Sequence, residues 1–458
     1  METPSTPISK DIESVLRGHP YKAIMRLAWP ATLSMILHTL FAVVDLIWVG
    51  RLGPTPIAAV ISATFVLWIM YSLVGVLSTG VVAMVSRFLG AGQFDQARDV
   101  AEETWRFALI FACLIAIPGY LFRQPIIDIM RLDPVVAKTA SDYLGIYFLT
   151  TIFIVISEWA AALFRASGNT RTPLIVFAVG LGLNMVLDPL FIFGIGPFPR
   201  METVGAAVAT AISYGISTLL IFWLLRGKRL PFPVHFSLVG RMDWRRIGRL
   251  VMIGVPISIS GIVFSIVYLF INRITSGFGT EMVATLGIGN RIESINYLVA
   301  YGFSLATATL VGQNLGARNP ARAAEMTHKT IQLVSAYIGI ASLFFLIFPE
   351  AIVRVFTNDA TVIEAGRGYV RILALSQVFM GWEIVLEGAF SGAGDTWPPM
   401  IVAIPGAIAR IPLVWLFADY WKLGPDGIWW AISATTVAKA VALYIWFARG
   451  SWKHRMVH

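Results

Sequence analysis

The sequence predicts an all-α integral membrane protein whose twelve transmembrane helices form two pseudo-symmetric six-helix lobes. Three observations carry this prediction: the composition, the number of long apolar segments and an internal repeat. Of the 458 residues, 57% are hydrophobic and only 13% are charged, whereas a soluble domain carries roughly 25% charged residues. With a mean hydropathy of +0.74, this much apolar sequence exceeds what a soluble core can bury.

Apolar stretches of about 20 residues are long enough to cross a bilayer as helices. Turn signals or charges separate twelve such stretches in this chain. The predicted spans lie near 25–50, 57–82, 104–122, 141–166, 173–195, 203–225, 248–275, 282–312, 330–350, 367–393, 398–418 and 427–448.

The distribution of Lys and Arg predicts the orientation of the spans. Basic residues concentrate in the two terminal segments and in the connection 226–247, RGKRLPFPVHFSLVGRMDWRRI, and cytoplasmic segments carry such an excess. We therefore expect both termini on the cytoplasmic side of the plasma membrane. The same distribution accounts for the net charge of +9 without a nucleic-acid partner.

The connection 226–247 is also the only long polar joint between spans, so it predicts a division of the chain. We expect an N-terminal lobe at 1–225, a cytoplasmic linker at 226–247 and a C-terminal lobe at 248–458. The N-terminus is polar and lacks the apolar core of a signal peptide. The single cysteine, Cys113, excludes a disulfide framework or a zinc cluster.

The two predicted lobes repeat each other at a constant shift of 226 residues. Pro30 aligns with Pro256 and Gly168 with Gly394, and FRASGNTRTPLIV aligns with FSGAGDTWPPMIV. A unit of six spans begins and ends on one side of the membrane, so its copy keeps the same orientation. Parallel repeats of this kind occur in transporters whose substrate site lies between the lobes.

Asp188 interrupts an apolar run, where a carboxylate costs on the order of 3 kcal/mol. Asn184 lies four residues earlier, on the same helical face. Asp45 in the first span and Thr210 in the sixth add further oxygens, which are the ligands that hard cations prefer. Intramembrane acids with polar partners mark functional sites, and burial favours protonation of an Asp.

Several longer motifs lie along the chain. They are WPATLSMILHTLFAVVDLIWVGRLG, VSRFLGAG, ASGNTRTPLIVFAVGLGLNMVLDPLFIFG and VGAAVAT in the first half, and GVPISIS, VGQNLGAR and SGAGDTWPP in the second. Through these motifs the twelve-span chain resembles the multidrug and toxic compound extrusion (MATE) family over nearly its whole length. The resemblance implies a V-shaped cleft between two lobes. It also implies export of bulky cationic or amphipathic compounds in exchange for H⁺ or Na⁺.

The archaeal and bacterial branch of this family has a cation or proton site in its N-terminal lobe. The motif matches transfer the coupling role to Asp45, Asn184, Asp188 and Thr210. The family's Asn in the fourth span has no equivalent here, since Ser157, Glu158 or Ala161 occupies that neighbourhood. We expect no cofactor beyond the coupling ion, H⁺ or Na⁺, and no metal other than Na⁺ at this site.

The C-terminal lobe lacks this oxygen set but carries charges of both signs within its spans. Two interpretations stay open: the charges neutralise one another and hold helices together, or an acid attracts cationic substrate. We expect Arg410, at the repeat position of Asn184, to pair with an acid. The candidate C-lobe residues are Glu293, Glu383, Glu387 and Arg410.

Other functional classes fit the sequence less well. A nucleotide-binding loop of the form G-x-x-x-x-G-K-[ST] is absent from the sequence, which excludes an ATP-driven pump of that type. No nucleophile with its base is evident, so we expect no enzyme. The main alternative is a lipid-linked oligosaccharide flippase of the same superfamily. The expected partners of the chain, as a monomer, are small organic substrates and the lipid bilayer.

Overall fold

The structure, a computed structural model, describes residues 10–227 and 229–455, in which every regular element is helical. Twelve helices of this described part are long enough and apolar enough to cross a membrane. The all-α, twelve-span class predicted from the sequence is thereby confirmed. The helices are α1 (Lys10–Arg17), α2 (Pro20–Val49), α3 (Pro54–Gly90), α4 (Phe94–Asp128), α5 (Pro134–Ala166), α6 (Arg171–Phe193), α7 (Glu202–Arg226), α8 (Trp244–Ser276), α9 (Thr280–Gly316), α10 (Pro320–Ile347), α11 (Pro349–Arg354), α12 (Ala360–Ala393), α13 (Trp397–Val414) and α14 (Pro425–Arg449).

The helices follow the repeat in the sequence. Helix α3 begins at Pro54 and α9 at Thr280, while α4 begins at Phe94 and α10 at Pro320, so each pair is 226 residues apart. Proline is common at the first helical position, because its missing N–H has no partner there anyway. Only one helix of each pair begins at a proline, so the helix starts are duplicated without a proline at both positions.

The described chain forms two compact units. The first contains residues 10–17 and 33–254, and the second contains residues 18–32 and 255–455. Helices α2 and α8 are thus each divided, with their first turns in one unit and the remainder in the other. The lobe boundaries drawn from the sequence stay a prediction, and residue 228 of the predicted linker lies outside the described residues.

One helix is central in each unit, and the two central helices are repeat equivalents. In its most apolar stretch, 72% of the residues of α5 are buried, and the same share holds for α12. Helix α5 packs against α3, α4 and α7, and α12 packs against α9, α10 and α14. The central position of α5 brings its polar side chains next to those of neighbouring helices.

Small residues allow a close contact between α9 and α12 in the second unit. A Cβ atom at Gly388 would collide with Ser304, and one at Gly392 would collide with the backbone of Ala308. Glycines four residues apart lie on one face of α12, so the backbones of α9 and α12 approach closely, as at many membrane helix interfaces.

The end of the predicted linker folds against α4 in the first unit. His235 Nδ1 lies 2.8 Å from Glu102 Oε1, and Arg246 Nη1 lies 3.0 Å from Glu103 Oε1. Asp243 begins α8 by accepting a hydrogen bond from the backbone N–H of Arg246. This N–H group holds the pKa of Asp243 below its usual value, because it stabilises the ionised carboxylate.

Candidate functional site

The four side chains predicted from the sequence meet inside the first unit. Asp45 comes from α2, Asn184 and Asp188 from α6, and Thr210 from α7. All four are buried, with at most 1% of any residue exposed. The structure therefore brings residues from three helices into one polar cluster.

The side-chain amide of Asn184 is the centre of this cluster. Its Nδ2 lies 2.9 Å from Asp188 Oδ1, 3.2 Å from Asp45 Oδ1 and 3.2 Å from Thr210 Oγ1. An amide nitrogen carries two hydrogens, so the two carboxyl oxygens are its natural acceptors. The spacing of four residues places Asn184 one turn from Asp188, and tertiary packing brings Asp45 to the same amide.

Hydroxyl groups complete the surroundings of Asp45. Thr210 Oγ1 donates to Asp45 Oδ2 at 3.2 Å, and the Tyr143 hydroxyl approaches the same oxygen at 3.5 Å. Tyr143 lies on α5 and is itself buried. Tyr143 was not among the residues predicted from the sequence, which offers no specific signal for it because aromatic residues are common in membrane spans.

Two oxygens of the cluster are buried without a hydrogen-bond partner, namely Asn184 Oδ1 and Asp188 Oδ2. Buried polar atoms are normally paired. The carboxyl oxygen of Asp188 can accept a proton, and both oxygens can ligate a cation. Carboxylate, amide and hydroxyl oxygens also form the donor set that hard cations prefer. The residues present therefore suit either a proton or Na⁺.

The cluster holds two acids without a base. Within the described residues, no Lys, Arg or His forms an ion pair with Asp45 or Asp188, and the two carboxyl groups repel each other when both are ionised. Two neighbouring carboxylates at a buried site cannot both stay ionised without a compensating positive charge. A proton or a cation is the kind of ligand that can supply that charge.

The three fourth-span candidates face other partners. Ser157 Oγ lies 2.8 Å from Thr218 Oγ1, and Glu158 Oε2 lies 3.0 Å from Arg165 Nη2. Ala161 is buried and apolar. None of these contacts reaches the Asp45–Asp188 cluster.

In the second unit, acids and bases occur together. Lys439 Nζ lies 2.6 Å from Glu383 Oε1, and both side chains are about nine-tenths buried. Glu293 accepts a hydrogen bond of 3.4 Å from Gln377 Nε2. Glu387, one turn after Glu383 on α12, forms neither an ion pair nor a hydrogen bond in the described part of the chain.

Arg410 contacts hydroxyls and aromatic rings instead of the expected carboxylate. Its Nε donates to Thr435 Oγ1 at 3.0 Å, and its Nη2 donates to Thr436 Oγ1 at 3.2 Å. The guanidinium lies 5.4 Å from the centre of the Phe264 ring, and its Nη1 is buried without a partner. Glu293 acts on Arg410 only electrostatically, without a direct ion pair among the described residues.

The comparisons with known proteins agree with this fold. A model of the MatE family matches residues 30–190 and 256–416, two stretches that begin 226 residues apart. A probable multidrug resistance protein NorM of Thermotoga maritima is 30% identical over 442 residues, covering 95% of this chain and 94% of the relative. An FAD transporter of Shewanella oneidensis is 23% identical, with coverage of 95% and 96%. A crystal structure of MATE in the bent conformation has a TM-score of 0.90 at 24% identity, covering 96% of this chain and 97% of that one.

The duplicated twelve-helix fold and these matches define a multi-pass membrane transporter, not an enzyme. The chain belongs to the MatE family, the multidrug and toxic compound extrusion family that its motifs resemble. The family prediction is confirmed.

Proposed function

We propose that the protein is a secondary active antiporter that exports bulky cationic or amphipathic compounds in exchange for H⁺ or Na⁺ by alternating access. The main observation behind this proposal is the buried cluster of Asp45, Asn184, Asp188 and Thr210, which has two acids and no base. The name of the 30% identical relative, a probable multidrug resistance protein, supports a drug as cargo.

The four residues of the cluster have different roles in the proposed ion binding. Asp45 and Asp188 supply the charge that a proton or Na⁺ neutralises. Asn184 donates through Nδ2 and leaves Oδ1 as a further oxygen ligand, while Thr210 orients Asp45. A gain or loss of one positive charge changes the electrostatic energy of this buried site by several kcal/mol, enough to favour different conformations of the unit.

Glu387 is the acid of the second unit best suited to a cationic cargo. Glu383 is neutralised by Lys439 at 2.6 Å, whereas Glu387 has no direct counter-charge among the described residues. Of the two interpretations for the C-lobe charges, we assign the structural one to Glu383 and the substrate-binding one to Glu387.

Transport by the purified protein in liposomes tests this proposal. A cationic dye is loaded, and a proton gradient and a sodium gradient are imposed separately. We expect one gradient to drive dye movement and Asp188→Asn to remove that dependence. Dye movement that ignores both gradients would contradict the antiport mechanism.

Export of a negatively charged cargo is the second candidate, as in a lipid-linked oligosaccharide flippase. The buried, unpartnered Nη1 of Arg410 favours it, since a guanidinium binds phosphate oxygens well. The name of the FAD transporter of Shewanella oneidensis also describes a phosphate-bearing cargo. Competition of dye efflux by cationic or pyrophosphate-bearing compounds distinguishes the two cargo classes.

We further propose that the chain acts as a monomer in the plasma membrane, with both termini cytoplasmic. The basic terminal segments support this orientation. Labelling of cysteines introduced near either terminus, on intact and on opened cells, tests the topology.

A further inference from the structure

A long apolar groove runs along α14 on the surface of the second unit. Its volume is about 640 Å³. Leu375 of α12 and Trp430 of α14 line one end, and Ile445 of α14 lines the other. Between them lie Ala434 and Ala438, whose small side chains leave the space open.

The two helices that border the groove run parallel. Tyr369 stacks on Trp429 with ring centres 4.2 Å apart, and Glu383 pairs with Lys439 further along both helices. The N-terminal ends of α12 and α14 therefore lie on the same side of the membrane. By this register, Arg371 lies level with the Trp430 end of the groove.

A second cavity, of about 360 Å³, lies beside the first half of α12 and is rich in arginine. Arg354, Arg367 and Arg371 line it, together with Glu350. Arg354 pairs with Glu350 and Arg367 with Glu364, whereas Arg371 is exposed and forms no ion pair with any described residue.

Arg371 and the groove share one face of α12. Arg371 precedes Leu375 by four residues, which is one helical turn, and Leu375 lines the apolar groove. A guanidinium without an ion pair among the described residues is thus one helical turn from the apolar groove. Trp430, at the same end of the groove, is of a residue type enriched at membrane interfaces.

We propose that this groove binds an anionic phospholipid, with its phosphate at Arg371 and an acyl chain along α14. From Trp430 to Ile445 the helix rises about 22 Å, more than the roughly 15 Å of one leaflet's hydrocarbon. The groove is thus long enough for an acyl chain. The unpaired positive charge at one end selects a headgroup with a net negative charge.

Native mass spectrometry of the detergent-purified protein tests the proposal with phosphatidylglycerol, phosphatidylcholine and inorganic phosphate. We expect phosphatidylglycerol to bind about fivefold more strongly than phosphatidylcholine, the effect of one Arg on an anionic lipid. Arg371→Gln should remove this preference and retain equal, weaker binding of both lipids. Ala438→Trp, which fills the groove, should abolish binding of both.

Arg273→Gln is the matched control, because Arg273 is an exposed arginine near the end of α8, on the same side of the membrane. It should leave both affinities unchanged. Equal loss from Arg273→Gln and Arg371→Gln, or unchanged lipid binding in Ala438→Trp, would overturn the proposal. Binding of inorganic phosphate as strong as that of the lipid, or a dimer abolished by Ala438→Trp, would overturn it too.

Discussion

The polar interiors of the two units occupy equivalent places in the repeat but carry different chemistry. In the first unit, Asn184 Nδ2 lies 3.2 Å from Thr210 Oγ1. At the shift of 226, Arg410 Nη2 lies 3.2 Å from Thr436 Oγ1. The helix contact is duplicated, while the amide that joins two acids is replaced by a guanidinium.

The acidic residues of the two units also differ. The equivalents of Asp45 and Asp188 are Ile271 and Val414, both buried in the apolar core of the second unit. Conversely, the ion pair of Glu383 and Lys439 stands where the first unit has two serines. A duplicated scaffold can thus hold an unbalanced acid pair in one copy and a balanced set of charges in the other.

The largest expected effect is on coupling. Asp188→Asn preserves size and hydrogen bonding but removes the ionisable group, so gradient-driven efflux should fall to the rate measured without a gradient. Asp45→Asn should behave similarly. Efflux in liposomes and protein abundance are measured together, and abundance should stay near normal.

Asp142→Asn is the control, since this carboxylate is exposed on α5 beside Tyr143. It should transport normally. Full gradient-driven efflux by Asp188→Asn would remove the functional difference between the units.

A large effect on stability is expected in the second unit. Glu383→Gln leaves the Lys439 ammonium buried without its partner, which costs about 3 kcal/mol or more. The apparent melting temperature and the abundance in detergent should fall. Because apolar residues can replace a buried ion pair at little cost, Glu383→Leu combined with Lys439→Met should recover most of the loss. A stable but uncoupled Glu383→Gln would instead move the coupling site to the second unit.

An intermediate effect is expected on cargo choice. Glu387→Gln should slow efflux of a cationic dye about fivefold, which corresponds to roughly 1 kcal/mol for one charge contact. Efflux of an uncharged amphipathic dye should not change. Equal slowing of both dyes would show that Glu387 acts on the unit as a whole instead of on the cargo charge.

The smallest effect is expected at the edge of the ion site. Tyr143→Phe removes a hydroxyl that reaches Asp45 only at 3.5 Å, so about 0.5 kcal/mol should be lost. The ion concentration for half-maximal efflux should rise two- to threefold, with the maximal rate retained. A loss as large as that of Asp45→Asn would make Tyr143 a principal ligand.

Much of the site could be predicted from the sequence, because a charged or polar residue is conspicuous within an apolar membrane span. Asp188 stands out in an apolar run, and helical spacing alone places Asn184 one turn away. Tyr143 could not be predicted in this way, because aromatic residues are common in membrane spans and its role depends on how closely its hydroxyl approaches Asp45 of α2. The expected ion pair between Arg410 and an acid is not formed. Its partners also depend on tertiary packing, which brings threonines of α14 to the guanidinium.

The number of membrane spans and the repeat follow from the sequence alone, because hydrophobic length and the positions of glycine and proline are properties of single segments. The four residues of the polar cluster follow from the cost of a buried charge together with the family motifs. Which charges are paired is visible only in the folded chain. The pairing of charges depends on distances between helices that are far apart in sequence. Two lobes with similar glycine and proline positions place different side chains at equivalent helix contacts.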